Sequence, residues 1–295
     1  MPAPPPLFPE LGTPLEGRSL PARLAGVAGA PRRLHLHGSL AGGPAVAIVG
    51  ARRASFAGRV FARHLGRALA REGLHVVSGG AEGIDTAAHE GAMAGGGTTT
   101  IVAPGGWERP FPAVNAELFR RVVRCGGGYL SVRSPADGVV RGAFLRRNLV
   151  LAALASALVI VEARDHSGAR HAARCARKLG RPVFAVPHAP WAAGGRGCVL
   201  ELREGACVAA RASDVLEALA GILRDGSPGT LPDPARGAAT EAGLRVLSAL
   251  DRGARDADAI ATGSGLAHGA VQLALVELTL AGAVTIDAAG IPRRT

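Results

Sequence analysis

The sequence predicts an α/β protein: a doubly wound, mostly parallel sheet with helices on both faces, followed by a small helical module. Three observations predict it. From Ala45 to about residue 187, short apolar runs alternate with helix-length segments. Two successive strand-to-helix turns, GARRASFAG and SGGAEGID, are rich in glycine and small residues. Around Gly226 to Gly237 the chain becomes Pro- and Gly-rich and loses its periodicity, before a helical pattern resumes.

The elements follow in order. Residues 1–44 are rich in Pro, Gly and Ala and read as a lead-in segment holding at most a short strand at Leu34 to Gly38. The run VAIVG opens the main domain, expected over residues 45–223, and a helix is expected around Arg59 to Arg71. The alternation continues with LHVVS, a helix over Ile84 to Ala94, TTTIVAP, a helix near Asn115 to Val123 and the strand GYLSV. A helix near Arg146 to Ala155, the strand ALVIVEA, a helix near Ala169 to Leu179 and the strand PVFAVP complete it. Residues 224–239 read as a linker, and 240–295 as three helices followed by a strand pair, the order of a winged helix-turn-helix. Its third helix carries His268 and Gln272 but no Lys or Arg before Glu277, so major-groove reading is not expected of it.

Composition narrows the function. No uncharged apolar run reaches 18 residues, and MPAPPPLFPE lacks a basic stretch ahead of a hydrophobic core, so no membrane partner and a cytoplasmic location are expected. The four cysteines are irregularly spaced without a CxxC pair, which argues for reduced thiols rather than a disulfide framework or zinc knuckle. His35 and His37 alternate on a possible strand without a third ligand at a recognisable spacing, so neither a metal nor a cofactor is expected. The charge is localised: residues 44–210 hold 22 Lys and Arg against 11 Asp and Glu, while the rest of the chain has 12 against 12. All the basic residues in that span but Lys178 are arginines, the residue suited to bidentate contact with phosphate. A basic domain between neutral flanks is the electrostatic footprint of a nucleic-acid partner.

Four segments carry the expected chemistry. Just past the first strand, Gly50 permits close backbone approach while Arg52 and Arg53 reach toward phosphate oxygens. In the second turn, Ser78, Gly79, Gly80 and Gly83 are expected to form an N–H nest at a helix start, with Asp85 in the first turn complementing the dipole. Phe144, Arg146, Arg147 and Asn148 offer an aromatic face for a base, two guanidiniums and an amide at another helix start. Ser167 and Gly168 offer donors at a further helix N-terminus. Catalytic residues are not expected: Asp85 and His89 lie i, i+4 with Glu162 ending a strand nearby, but no nucleophile elbow accompanies them.

These motifs, in order LPARLAGVAGAPRRLHLHGSL, VGARRASFAG, SGGAEGIDTAAH, FLRRN, EARDHSGARHAARCARKLGRPVFAVP and REGA, closely resemble the DNA-processing protein A family (DprA/Smf). The resemblance implies an extended Rossmann-like domain with a winged-helix tail that binds single-stranded DNA, acts as a homodimer, loads RecA in transformation or recombination and performs no chemistry of its own. The helical domain that precedes this region in many members is expected to be missing. The resemblance places Arg52 on the family's DNA-contacting arginine. Glu82 stands where the family usually has a basic residue, Leu145 and Leu149 replace a proline and an arginine, and Ala172 replaces a threonine. Two other readings stay open on the same fold: an enzyme or sensor that binds a nucleotide or nucleoside phosphate, and a paralogue that has kept the fold with weakened DNA affinity.

Overall fold

A computed structural model of the chain describes residues 7–8, 12–189, 191–224, 241–280, 284–286 and 291–294. The chain forms two compact units, Met1–Thr230 and Leu231–Thr295. Apart from Arg224, the linker expected over residues 224–239 lies outside the described residues.

The first unit is an α/β sandwich on a nine-stranded sheet. Its parallel heart is β3 (Ala45–Val49), β4 (His75–Ser78), β5 (Thr99–Ala103), β6 (Gly128–Ser131), β7 (Ala157–Ile160) and β8 (Val183–Ala185). The crossovers are α1 (Phe56–Arg71), α2 (Ile84–Ala94), α3 (Ala116–Arg124), α4 (Ala143–Leu154) and α5 (Gly168–Lys178); α6 (Arg196–Arg203) and α7 (Ala212–Arg224) follow. Alternation along a strand sorts the side chains to two faces. Ala45, Ala47 and Val49 of β3 join the core formed with α4 and α5, whereas Val46 and Ile48 join the one formed with α1 and α2. Ile48 is wholly buried, so cutting it to alanine costs about 2–5 kcal/mol.

The lead-in does more than the sequence suggests. Besides β2 (Arg33–Gly38), it contributes β1 (Thr13–Glu16), and both extend the sheet antiparallel at the β6 edge, with β2 on β6 and β1 outside it. The short β9 (Cys207–Val208) closes the other edge, parallel to β8. Strand order is β1-β2-β6-β5-β4-β3-β7-β8-β9. The chain therefore winds outward from β3 through β4, β5 and β6, then returns to lay β7 on the other side of β3. That reversal opens a crevice at the carboxyl ends of β3 and β7.

The second unit packs α8 (Glu241–Asp251), α9 (Ala257–Ser264) and α10 (His268–Leu280) with the antiparallel pair β10 (Val284–Ile286) and β11 (Pro292–Arg294). Val246, Leu250, Ile260, Val271 and Leu278 fill its core. Asp256 caps α9 by accepting from Ala259 N at 2.7 Å, and Gly265 ends that helix at φ +68°, where a Cβ would be strained.

Candidate nucleic-acid interface

The crevice between β3 and β7 holds a cavity of about 370 Å³. Its walls are Gly50, Arg52 and Arg53 from the turn after β3, Phe144, Arg147 and Asn148 from α4, and Arg164, His166, Ser167 and Gly168 from the turn into α5. Eight of the expected DNA-contacting residues thus meet in one wall from three separate segments, and Asp85 of the second turn lines it with them. Ser78, Gly79, Gly80, Gly83 and Arg146 are not part of that wall.

Arg52 and Arg53 are exposed and form no ion pair among the described residues. The Arg52 guanidinium lies 5.2 Å from the centre of the Phe144 ring and 5.8 Å from that of Phe111. The two rings meet edge to face at 5.6 Å. Phe144 is half-buried and Phe111 is 38% exposed, so Phe144 serves neither as simple core nor as a free platform; it is one side of an aromatic pair. Sequence reasoning overlooks Phe111, whose loop carries no periodic signal. It also overlooks Arg164, which stands four residues beyond the end of β7 just as Arg53 stands four beyond β3.

Arg147, expected to grip the strand's backbone, is not held out to solvent. Its side chain is 9% exposed and lies 3.9 Å from Asp85 Oδ2. Its Nε is buried without a hydrogen-bond partner. Burial pulls the Arg147 pKa down against the attraction of Asp85, and the same burial raises that of Asp85. Half of a buried pair is thus left with an unused donor. Arg146 is exposed but stands outside the cavity.

Two backbone donors of the second turn are already taken. Asp85 Oδ2 accepts from Gly79 N at 3.1 Å and from Ala81 N at 3.2 Å. Ser78 is fully buried, with its hydroxyl donating to Ile48 O at 2.6 Å. Gly80 and Gly83 take positive φ and serve close packing. A Cβ on Gly80 would lie 2.8 Å from Ile101 Cγ2, and one on Gly83 would lie 2.4 Å from Ala51 O. At Gly79 the expected nest therefore serves the protein's own carboxylate.

A second internal carboxylate occupies the start of α1. Glu162, buried just past β7, accepts from Ser55 N at 3.0 Å and Ser55 Oγ at 2.8 Å, and Ser55 Oγ caps the helix by accepting from Gly58 N. Among the described residues no such carboxylate occupies the start of α5: Ser167 caps it by accepting from Arg170 N at 3.3 Å, and Gly168 is exposed. Asn148 ties that turn down, its Nδ2 donating to Gly168 O at 3.0 Å. The amide expected to face a ligand thus holds the α5 terminus in place.

The geometry leaves Asp85, His89 and Glu162 apart. His89 is wholly buried and hydrogen-bonds through Nδ1 to Thr99 Oγ1 at 2.8 Å, while the two carboxylates are engaged at separate helix starts. Among the described residues no group of three His, Cys, Asp or Glu is placed to hold a metal, and no helix is long and apolar enough to cross a membrane.

The family model for DNA recombination-mediator protein A matches residues 13–220. The chain belongs to this DNA-processing protein A (DprA/Smf) family. The model for the DprA winged helix domain matches residues 230–290. A Mycobacterium tuberculosis protein named for DNA processing, DprA, is 40% identical over 239 residues, 81% of this chain and 61% of its own length. The chain thus spans about three fifths of the first relatives it matches. DNA processing protein A of Streptococcus pneumoniae has a similar solved structure, with a TM-score of 0.65 and 31% identity over 70% of this chain and 74% of that one. The Helicobacter pylori family member, whose structure describes a single-stranded DNA binding mode, matches with a TM-score of 0.63 and 26% identity over 72% of this chain and 96% of that one.

Proposed function

We propose that the crevice binds single-stranded DNA, with phosphates on Arg52, Arg53, Arg147, Arg164 and the N–H groups that open α5, and bases against the Phe111 and Phe144 pair. One observation carries the reading: around a single cavity stand three exposed arginines without ion-pair partners among the described residues and a fourth with a buried, unused donor, next to an exposed aromatic ring. A single strand is flexible enough to follow such a wall and present unstacked bases to it, which a duplex is not. The chain binds the strand without chemistry of its own. On the family resemblance, we propose further that it works in the cytoplasm as a homodimer whose two crevices share one strand, and that it passes the strand to RecA.

The test is oligo-dT binding against salt. Neutralising about four phosphates gives a log-log slope of about −3, with duplex bound more weakly. The open α5 terminus and the cavity volume favour one other reading, a nucleoside phosphate held there. A flat salt response, together with a large thermal shift from ATP or AMP, would establish that reading and remove the DNA one.

A further inference from the structure

Beside the main cavity lies a narrow cleft of about 40 Å³, room for a few water molecules at most. It admits the edge of a ring rather than a whole nucleobase. Arg52, Phe144 and Arg147 line both spaces, but Glu82 lines only the cleft, along with Gly79, Phe111 and two prolines. Glu82 is exposed and forms no salt bridge among the described residues. A carboxylate among phosphate-binding arginines opposes a phosphate, yet this one stands on the side where the aromatic pair is. The polar side chains lining the cleft are Arg52, Glu82 and Arg147. Glu82 is the acceptor in that set, since both arginines only donate.

We infer that Glu82 reads the hydrogen-bonding edge of a base and gives the site a preference for bases with an exocyclic amine. The inference rests on the DNA reading of the crevice. A base stacked on Phe111, or on the Arg52 guanidinium that covers both rings, turns its edge toward the cleft. Cytosine offers its N4 amine to the carboxylate there. Uracil and thymine put O4, an acceptor, at the same point, where it faces the carboxylate with like polarity. Cytosine is therefore accepted and uracil rejected.

The experiment compares oligo-dC with oligo-dU of equal length at pH 8, by fluorescence anisotropy, on the full chain and on Glu82→Gln. Oligo-dC should bind about fivefold or more tightly than oligo-dU. In Glu82→Gln, whose amide turns to donate to O4 as readily as it accepts from N4, the ratio should fall to about one. Equal, salt-dependent binding of both oligonucleotides by the unaltered protein would overturn the inference and leave the DNA reading standing. A preference that survives Glu82→Gln would also overturn it. Absence of binding to either oligonucleotide would remove the DNA reading, and the inference with it.

Discussion

The guanidinium of Arg147 fills the space that a side chain on residue 79 would occupy: a Cβ on Gly79 would lie 1.4 Å from Arg147 Nη1. Gly79 is thus required by an arginine on α4 and not by its own backbone, which does not take positive φ. Gly79→Ala must drive the guanidinium off Asp85, so it should lower oligo-dT affinity about as much as Arg147→Ala does. The two changes should be far from additive in a double-mutant cycle. Arg147→Ala, which strands a buried carboxylate, should also cost on the order of 3 kcal/mol in urea unfolding. Additive losses would show that Gly79 acts independently of Arg147.

Arg52 combines a charge with a planar cover over two rings, and substitutions separate the two roles. Arg52→Ala should weaken binding to every sequence and flatten the salt slope by about 0.7. Arg52→Lys should keep the slope while losing part of the affinity, because a lysine ammonium does not stack on Phe111 and Phe144 as a guanidinium does. Salt titrations of both variants check this, and an unchanged affinity in Arg52→Ala would place the strand elsewhere.

Reversing the charge at Glu82 should strengthen binding to oligo-dT. Glu82→Arg replaces a repulsion with an attraction, so the salt slope should steepen by roughly 0.7 to 1.4. The gain should fade at high salt, where the Debye length shortens. If affinity at low salt does not rise while circular dichroism shows an intact fold, Glu82 has no part in the strand's path.

Two histidines tie stability to pH. His75 is held between Thr98 Oγ1 and Thr100 Oγ1, at 2.9 and 2.8 Å, and burial lowers its pKa from 6.5 to about 4; that of His89 falls to about 3. Both are neutral in the folded protein and charge more readily in the unfolded chain. Their contribution is therefore fully present above pH 6.5 and is lost as the pH falls toward 4 and then 3. Urea unfolding should show stability dropping by up to about 1.4 kcal/mol per pH unit for each histidine over that window. His89→Gln should remove one such slope whatever it does to stability at neutral pH.

The elements that sequence patterning reveals are those whose own residues determine them. The run VAIVG becomes β3 because it is buried on both faces, and α2 covers the expected span Ile84–Ala94. By contrast, β1 is a mostly exposed edge strand and β9 has only two residues, so neither has an apolar run to announce it. At the site, Arg52 and Arg53 were legible from their place just past a strand. The burial of Arg147 was not, because it depends on a glycine in a different turn. Asp85 was legible as a first-turn carboxylate, but that it turns back onto Gly79 N and Ala81 N is settled only by the path of the folded backbone. Phe111 gains its role through contact with Phe144, and no local spacing encodes that contact.

Asp85 and Glu162 each answer a helix start with a charge the chain supplies itself. A nucleotide-binding fold that leaves those positions for its ligand has donors without partners until the ligand arrives. Here Asp85 and Glu162 engage such donors themselves, so these need no ligand for a partner. Release of a ligand then leaves no strained or unsolvated backbone behind at these two turns. Such a surface is suited to receiving a polymer and giving it up again, since neither step has to rebuild the protein.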